Sequence, residues 1–215
     1  MIYIIALLLA LSGVGCTHQD FKTQKSADSV LVDTTMQADS VTKYQNKDSL
    51  KDSLNFDSLY TKSSSEAEKV YFAILKWSDF YKVPKELLFG IAWKETTWLG
   101  KNDSNYTLSN RIIQNNNYCH GTMQVIWSTA VNIGKIYDIP VKDVKTLRQD
   151  ISLNVRLAAA LIDYLRKSNN DPYTILVNYN GHPQHKYNYA SSVLNYITKT
   201  YNVSTGDLKK ILNNK

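Results

Sequence analysis

Residues 17–64 carry too little apolar surface to build a core, so any compact fold must be made from residues 65–215. The stretch is dominated by Ser, Thr, Asp and Lys. Burial of its few scattered apolar residues cannot offset the chain entropy lost on folding. Asp-Ser pairs recur at Asp28-Ser29, Asp39-Ser40, Asp48-Ser49, Asp52-Ser53 and Asp57-Ser58. Their spacing is irregular, which marks compositional bias and not a structural repeat. The expectation is a flexible tether with transient helix near Leu50, Leu54 and Leu59. Square-root scaling gives such a tether a root-mean-square span of about 35–40 Å.

Ahead of the tether, Ile2 to Leu11 form an apolar run too short to span a bilayer as a stable helix. The small residues Ser12-Gly13-Val14-Gly15 come next, then Cys16. An apolar core with a small-residue cleavage region reads as an export signal. The segment resembles a bacterial lipoprotein signal, which would make Cys16 a lipidated N-terminus. Thr17 rather than Asp follows Cys16, resembling sorting to the outer membrane, on its periplasmic face. If Cys16 is acylated, Cys119 is the one remaining thiol and no disulfide framework exists. A Cys16–Cys119 disulfide is the alternative. Adjacent Cys119 and His120 do not suit a nucleophilic dyad, whose members usually meet in space from distant positions.

The foldable part announces its start. Ser65-Glu66-Ala67-Glu68 has the capping-box pattern, with Ser65 at the N-cap and Glu68 reaching back. Val70, Ile74, Trp77 and Tyr81 then share one helical side. Charge divides at the same place. Residues 17–65 hold six Lys and seven Asp, net −1, whereas residues 66–215 hold nineteen Lys and Arg against twelve Asp and Glu, net +7. A polyanion suits a basic domain. No Lys/Arg block or nucleic-acid motif is present, so a nucleic-acid partner is not expected. Fifteen Tyr and four Trp offer flat faces with polar edges, which suit carbohydrate as well as packing.

One acidic residue is out of place. Pro84 to Leu99 reads as a helix opened by Pro84 and closed by Gly100. Leu87, Ile91, Glu95 and Trp98 fall on one face, flanked by Leu88 and Ala92. A carboxylate there loses hydration, which raises its pKa. It also sits in the last turn, where the helix dipole disfavours negative charge by about 0.3–1 kcal/mol. Both effects push Glu95 toward the neutral form that a general acid requires. The alternative is that it reaches solvent at the helix end or pairs with a lysine.

Beyond it lies a long loop over residues 100–120, rich in Asn and containing Asp103. A third helix is expected from Thr122 to Ile133, stopping at Gly134. A fourth runs from Ile151 to Lys167 and places Asn154 among the apolar Ala158, Leu161, Ile162 and Leu165. A buried amide must be hydrogen-bonded, either as a latch or in substrate contact. A fifth helix begins at Asp171 and Pro172 and ends at Asn180-Gly181. A sixth covers Tyr189 to Tyr201, with Tyr189, Val193 and Tyr196 or Ile197 facing inward. No strand alternation appears, so the fold class is mainly α.

Five strings in order carry a family resemblance. They are Glu95-Thr96; Gly121-Thr122-Met123-Gln124; Asn154 with Ala158; Asn178-Tyr179-Asn180-Gly181; and Tyr189 with Val193. Residues 68–201 resemble the soluble lytic transglycosylases of glycoside hydrolase family 23, which have a goose-type lysozyme-like fold. The chain has Thr96 where the family has Ser, Thr122 where it has Leu, and Ala158 where it has Gly. It also shortens the path from Asn180 to Gly181.

The resemblance implies a lysozyme-like helical domain at residues 65–203, followed by a tail or short helix at 204–215. It implies cleavage of the β-1,4 bond between N-acetylmuramic acid and N-acetylglucosamine in peptidoglycan. Glu95 would be the single acid/base and the product a 1,6-anhydro sugar. Hydrolytic muramidase and non-catalytic wall binding are the alternatives, and Asp103 is the candidate base for water. Thr96, Met123, Gln124, Tyr179, Asn180 and Tyr189 would bind substrate or shape the cleft, with Tyr189 positioning Glu95. No cofactor or metal is expected. His182 and His185 lack a third ligand and read as rim residues. The expected partners are glycan strands and, through Cys16, a membrane, with the protein a monomer.

Overall fold

A computed structural model describes residues 65–97, 119–181 and 185–214. These residues form eight helices and one short hairpin, so the domain is mainly helical as expected. Helix α1 spans Glu66–Tyr81. Ser65 caps it, its hydroxyl accepting from the Glu68 N–H at 3.2 Å while the Glu68 carboxylate accepts from the Ser65 N–H. Val70, Ile74 and Tyr81 enter the core. Trp77 is half-buried; its indole N–H donates to Ser152 Oγ at 3.0 Å, and Lys76 and Arg156 lie against its ring.

Helix α2 spans Lys85–Thr96 with Pro84 at the N-cap. It is shorter than its apolar pattern predicts, since Thr97 turns left-handed at φ 53° and sends its N–H back to the Ala92 and Trp93 carbonyls. Two β-branched residues in succession weaken the helix here, and the reversal closes it before Gly100 is reached. Trp98 and Gly100 lie outside the described residues.

The expected helix from Thr122 to Ile133 needs the larger correction. Cys119–His120 (β1) pairs antiparallel with Val125–Ile126 (β2), and Gly121 to Gln124 form the turn between them. Helix α3 begins only at Trp127 and continues to Ile136. Gly134 is inside it rather than beyond its end. A Cβ there would lie 2.8 Å from the Ile139 carbonyl oxygen, and the Ile139 N–H donates to the Gly134 carbonyl at 2.8 Å. This glycine therefore admits the returning chain. Helix α4, Val144–Gln149, has no counterpart in the sequence reading. It is started by Asp143, whose carboxylate accepts from the Thr146 N–H.

Helix α5, Ile151–Arg166, is the central member. It packs against α1, α3, α4 and α6, the last being Pro172–Asn180. Helix α6 in turn packs on α7, Lys186–Tyr201, and α7 on α2. The chain reaches α8, Thr205–Asn213, through a capping box at Ser204 and Asp207, so the C-terminal segment is a short helix. Tyr189, Val193 and Ile197 are the inward face of α7. At the α2–α7 crossing, a Cβ on Gly90 would lie 2.8–2.9 Å from Val193 and Ile197. The bare glycine lets the two helices approach closely, which brings Glu95 on α2 beside Tyr189 on α7.

A polar cluster fastens the opposite end of α1 and α2. Arg166 donates to the Tyr81 and Lys82 carbonyls at 3.1 and 2.6 Å and pairs with Asp163 at 2.6 Å. The Tyr137 hydroxyl donates to Asp163 Oδ2 at 2.6 Å, and Lys167 reaches the same oxygen at 3.2 Å. Burial alone would raise the Asp163 pKa, but Tyr137, Lys167 and Arg166 hold it below its usual 3.8. A folded-state pKa below the unfolded value means that the contribution is full above about pH 4. It is lost as pH falls through the folded value. Asp163→Asn is expected to cost about 3 kcal/mol, because a buried guanidinium loses its counter-charge. It should also flatten the decline in stability as pH falls below about 4. Urea titrations across that range measure both effects.

Candidate active site

Glu95 occupies the next-to-last position of α2 and is half-buried. Protein surrounds the carboxyl deeply enough that loss of hydration dominates and lifts its pKa from 4.5 to about 7. Tyr189 and Lys94 pull the other way and limit the rise. Tyr189 itself is 6 % exposed. Its hydroxyl interacts with Glu95, yet has no partner in good hydrogen-bond geometry. Directional criteria define a formed bond, so the contact is a close approach of a phenol dipole to the carboxyl. Burial and the Glu95 charge raise the pKa of Tyr189 and Tyr179 well above 10, so both stay neutral phenols. A carboxyl with a pKa near 7 is divided between its acid and base forms at neutral pH, and can give a proton and take one back.

The turn after β1 is held from three helices. On α5, the wholly buried Asn154 accepts from the Met123 N–H at 2.8 Å. It donates to the His120 carbonyl at 2.8 Å and the Leu147 carbonyl at 3.1 Å. On α2, the Thr96 hydroxyl lies 3.0 Å from the Thr122 carbonyl and 3.3 Å from the Thr122 hydroxyl. On α6, the Tyr179 hydroxyl donates to the Met123 carbonyl at 2.8 Å. Gly121 has φ +70°, and a Cβ on it would sit 2.5 Å from the Asn154 amide; only glycine meets both demands. Gln124 is left-handed at φ 49°, and its side-chain amide donates to the Gly121 carbonyl at 2.8 Å.

The predicted residues Glu95, Thr96, Met123, Gln124, Tyr179 and Tyr189 are thus joined through direct contacts or through this turn. Asn180 ends α6 beside the left-handed cap Gly181 and is half-buried. Met123 has no exposed surface, so its side chain belongs to the core rather than to the surface that meets sugar. Its main chain is what the site uses. His185 is the exposed N-cap of α7, and His182 and Asp103 lie outside the described residues. Among the described residues no group of three His, Cys, Asp or Glu side chains could hold a metal ion. Cys119 is disulfide-bonded and not free, which corrects the expectation of a remaining thiol. Cys16, the other cysteine of the sequence, lies outside the described residues.

Two residues escaped the sequence reading. Thr122 stands at an apolar position of the resembled motif, and its departure from Leu was the available signal. His120 is 1 % exposed with both ring nitrogens unpartnered, and burial lowers its pKa to about 4. Nothing in its sequence neighbourhood foretold that setting.

A half-enclosed glutamic acid at the end of α2 and a turn held by Asn, Tyr and Thr thus lie within one helical bundle. The transglycosylase SLT domain model matches residues 72–202. The chain belongs to that family and is, in general terms, a lytic transglycosylase acting on peptidoglycan. No curated protein and no solved structure matches it. Because Asn154 satisfies three buried main-chain groups at once, Asn154→Ala is expected to lower stability by about 2–4 kcal/mol. Activity on peptidoglycan should fall with it, since the turn is no longer held. Urea denaturation and turbidity clearing of wall suspensions measure the two effects.

Proposed function

We propose that the protein cleaves the β-1,4 bond between N-acetylmuramic acid and N-acetylglucosamine by intramolecular transfer. Neutral Glu95 donates its proton to the glycosidic oxygen as the bond to C1 breaks. The C6 hydroxyl of the muramic residue then attacks C1 and gives its proton to the Glu95 carboxylate. The product is a 1,6-anhydro sugar, Glu95 regains its starting form, and no water is consumed. A route with one carboxyl in both roles differs from ordinary glycosidase chemistry, in which two carboxyls divide the work. The observation that carries this reading is the half-buried Glu95 carboxyl at the end of α2 beside Tyr189, a setting whose loss of hydration raises its pKa to about 7 and suits it to giving and accepting a proton in turn.

Thr96, Gln124 and Asn180 are the side chains proposed to meet the N-acetyl and hydroxyl groups of the strand. Tyr189 orients Glu95, and Tyr179 supports the wall of the cleft through Met123. The net charge of +7 over residues 66–215 favours an anionic wall polymer. The proposed setting is the periplasm, reached by export, with the protein a monomer. A thioether at Cys16 and a Cys16–Cys119 disulfide exclude each other in one molecule. With Cys119 disulfide-bonded, mass spectrometry of the mature protein is expected to show the Cys119 peptide linked to a second cysteine; a diacylglyceryl adduct on Cys16 would restore the lipid anchor instead.

Digestion of purified peptidoglycan should yield anhydro-muramic ends, lost in Glu95→Gln. Reducing muramic ends would instead make the enzyme a hydrolase, and wall binding without cleavage would make it a binding protein. Because the acid form of Glu95 is required, kcat/KM should fall about tenfold per pH unit above about pH 7. Tyr189 lowers the Glu95 pKa, so Tyr189→Phe should move that alkaline limb to higher pH. The raised pKa also sets a stability cost. The folded state retains a proton that the unfolded chain releases near pH 4.5, so the Glu95 contribution declines as pH rises toward 7. Glu95→Gln is therefore expected to raise the melting temperature at pH 8 while abolishing cleavage.

A further inference from the structure

His120 ends β1, directly before the turn, and is 1 % exposed. Neither of its ring nitrogens has a hydrogen-bond partner. A neutral imidazole has one N–H to give and one lone pair to receive with, and buried groups of this kind are seldom left unsatisfied. The neighbours keep the ring uncharged. Strand β1 packs on β2 and on α4. Strand β2 brings Val125 and Ile126, neither of which ionises. Helix α4 carries Lys145 and Arg148, and the Arg148 charge opposes a second positive charge on the ring. The acids that bound α4, Asp143 and Asp150, accept from the Thr146 and Leu153 N–H groups as helix caps. From α5 the neighbour is the neutral amide of Asn154, bonded to the His120 carbonyl at 2.8 Å. An imidazolium here would hold two N–H donors without an acceptor, away from water and near a like charge. Loss of hydration and Arg148 accordingly lower the ring pKa from 6.5 to about 4.

We propose that His120 is an acid-sensitive fastening of the active-site turn: uptake of a proton draws the ring from its buried seat and loosens the turn that Asn154, Thr96 and Tyr179 hold. The enclosed ring has no place for the proton, so it is bound in an opened state, where both N–H groups meet water. The ring and the site share one stretch of main chain. The His120 carbonyl and the Met123 N–H bond the same Asn154 amide. Withdrawal of the ring strains both bonds, and with them the seats of the Thr122 and Met123 carbonyls on Thr96 and Tyr179. Linkage gives the sign. The closed-state value lies below the open-state value, so the turn is held at full strength above about pH 6.5 and weakens as pH falls toward about 4. That window lies above the one in which Asp163 acts. It is also opposite to the limit set by Glu95, which stops cleavage on the alkaline side. The loss of cleavage in acid rests on the reading of this turn as part of the active site; the opening itself does not.

The test uses the full chain and its His120→Leu and His120→Phe variants. Amide hydrogen exchange, followed by NMR and corrected for intrinsic rates, compares the Met123 N–H with that of Ile162 in α5. In the wild type, Met123 protection should fall about twentyfold from pH 7 to pH 5, the ratio required by ring values of 6.5 open and about 4 closed. It should stay below that of Ile162 throughout, which marks a local opening. The His120 ring resonances should show no titration above pH 5. In both variants the pH dependence of Met123 protection should vanish. Cleavage of peptidoglycan by the wild type should decline reversibly between pH 6 and pH 4, and the variants should keep more of their neutral-pH rate there. A ring that titrates near pH 6.5, Met123 protection that ignores pH, the same dependence in the variants, exchange of Met123 in step with Ile162, or one acid limb of cleavage shared by wild type and variants would each overturn the proposal. The wild-type exchange and ring measurements decide it even where a variant fails to fold. They also need no substrate, so a chain that does not cleave peptidoglycan removes the functional reading and leaves the opening to be judged separately.

Discussion

The side chain of Asn154 is the interaction on which the rest of the site depends. Three buried main-chain groups, on His120, Met123 and Leu147, find their partner in one amide. A turn between two-residue strands cannot satisfy those groups itself, and no water reaches them to do so. With the amide in place, the turn is anchored to α5, the helix with the widest set of neighbours. Remove it and the Thr96 and Tyr179 contacts have no fixed surface to meet.

Around that anchor the domain is arranged to keep one carboxyl poorly hydrated. Gly90 permits the close α2–α7 crossing, which places Tyr189 against Glu95. The early end of α2 at Thr97 leaves Glu95 in the last turn, where the helix dipole adds to the effect of burial. The left-handed conformations at Thr97 and Gln124 are uncommon for residues with a Cβ, and especially for a β-branched one. Both are held by main-chain hydrogen bonds, Thr97 N–H to the Ala92 and Trp93 carbonyls and Gln124 N–H to the Gly121 carbonyl at 3.1 Å. Strain at a site whose surroundings over-determine it is a recurring arrangement in enzymes. The Asp163 cluster ties Tyr137 and the main chain at Tyr81 and Lys82 to α5 at the far end of the α1–α2 pair.

Much of the helical frame was legible because the signals are local. Ser65 and Glu68 cap α1 as the four-residue pattern indicates. Asp171, Pro172 and Gly181 bound α6, and the spacing of Tyr189, Val193 and Ile197 names the inward face of α7. The hairpin at Cys119–Ile126 was not legible. Strands of two residues leave no alternation to detect, and Gly121-Thr122-Met123-Gln124 runs into apolar residues that read equally well as a helix. Gly134 misled for a related reason: a glycine that ends a helix and one that admits a neighbouring carbonyl look alike in sequence. Helix α4 is too short to show a period at all.

The sequence by itself determined where the first helix of the domain begins, that the domain is built of helices, and that Glu95 lies on an apolar face. Composition, caps and periodicity are properties of neighbouring residues and need no knowledge of the fold. Only the tertiary structure decided that Met123 contributes its main chain and not an exposed side chain, and that Thr122 faces Thr96. It alone brought Tyr189 to Glu95, and it made Asn154 a latch. Those outcomes depend on which surfaces meet across α2, α5, α6 and α7. Hydration, hydrogen-bond direction and pKa are set at such meetings rather than along the chain.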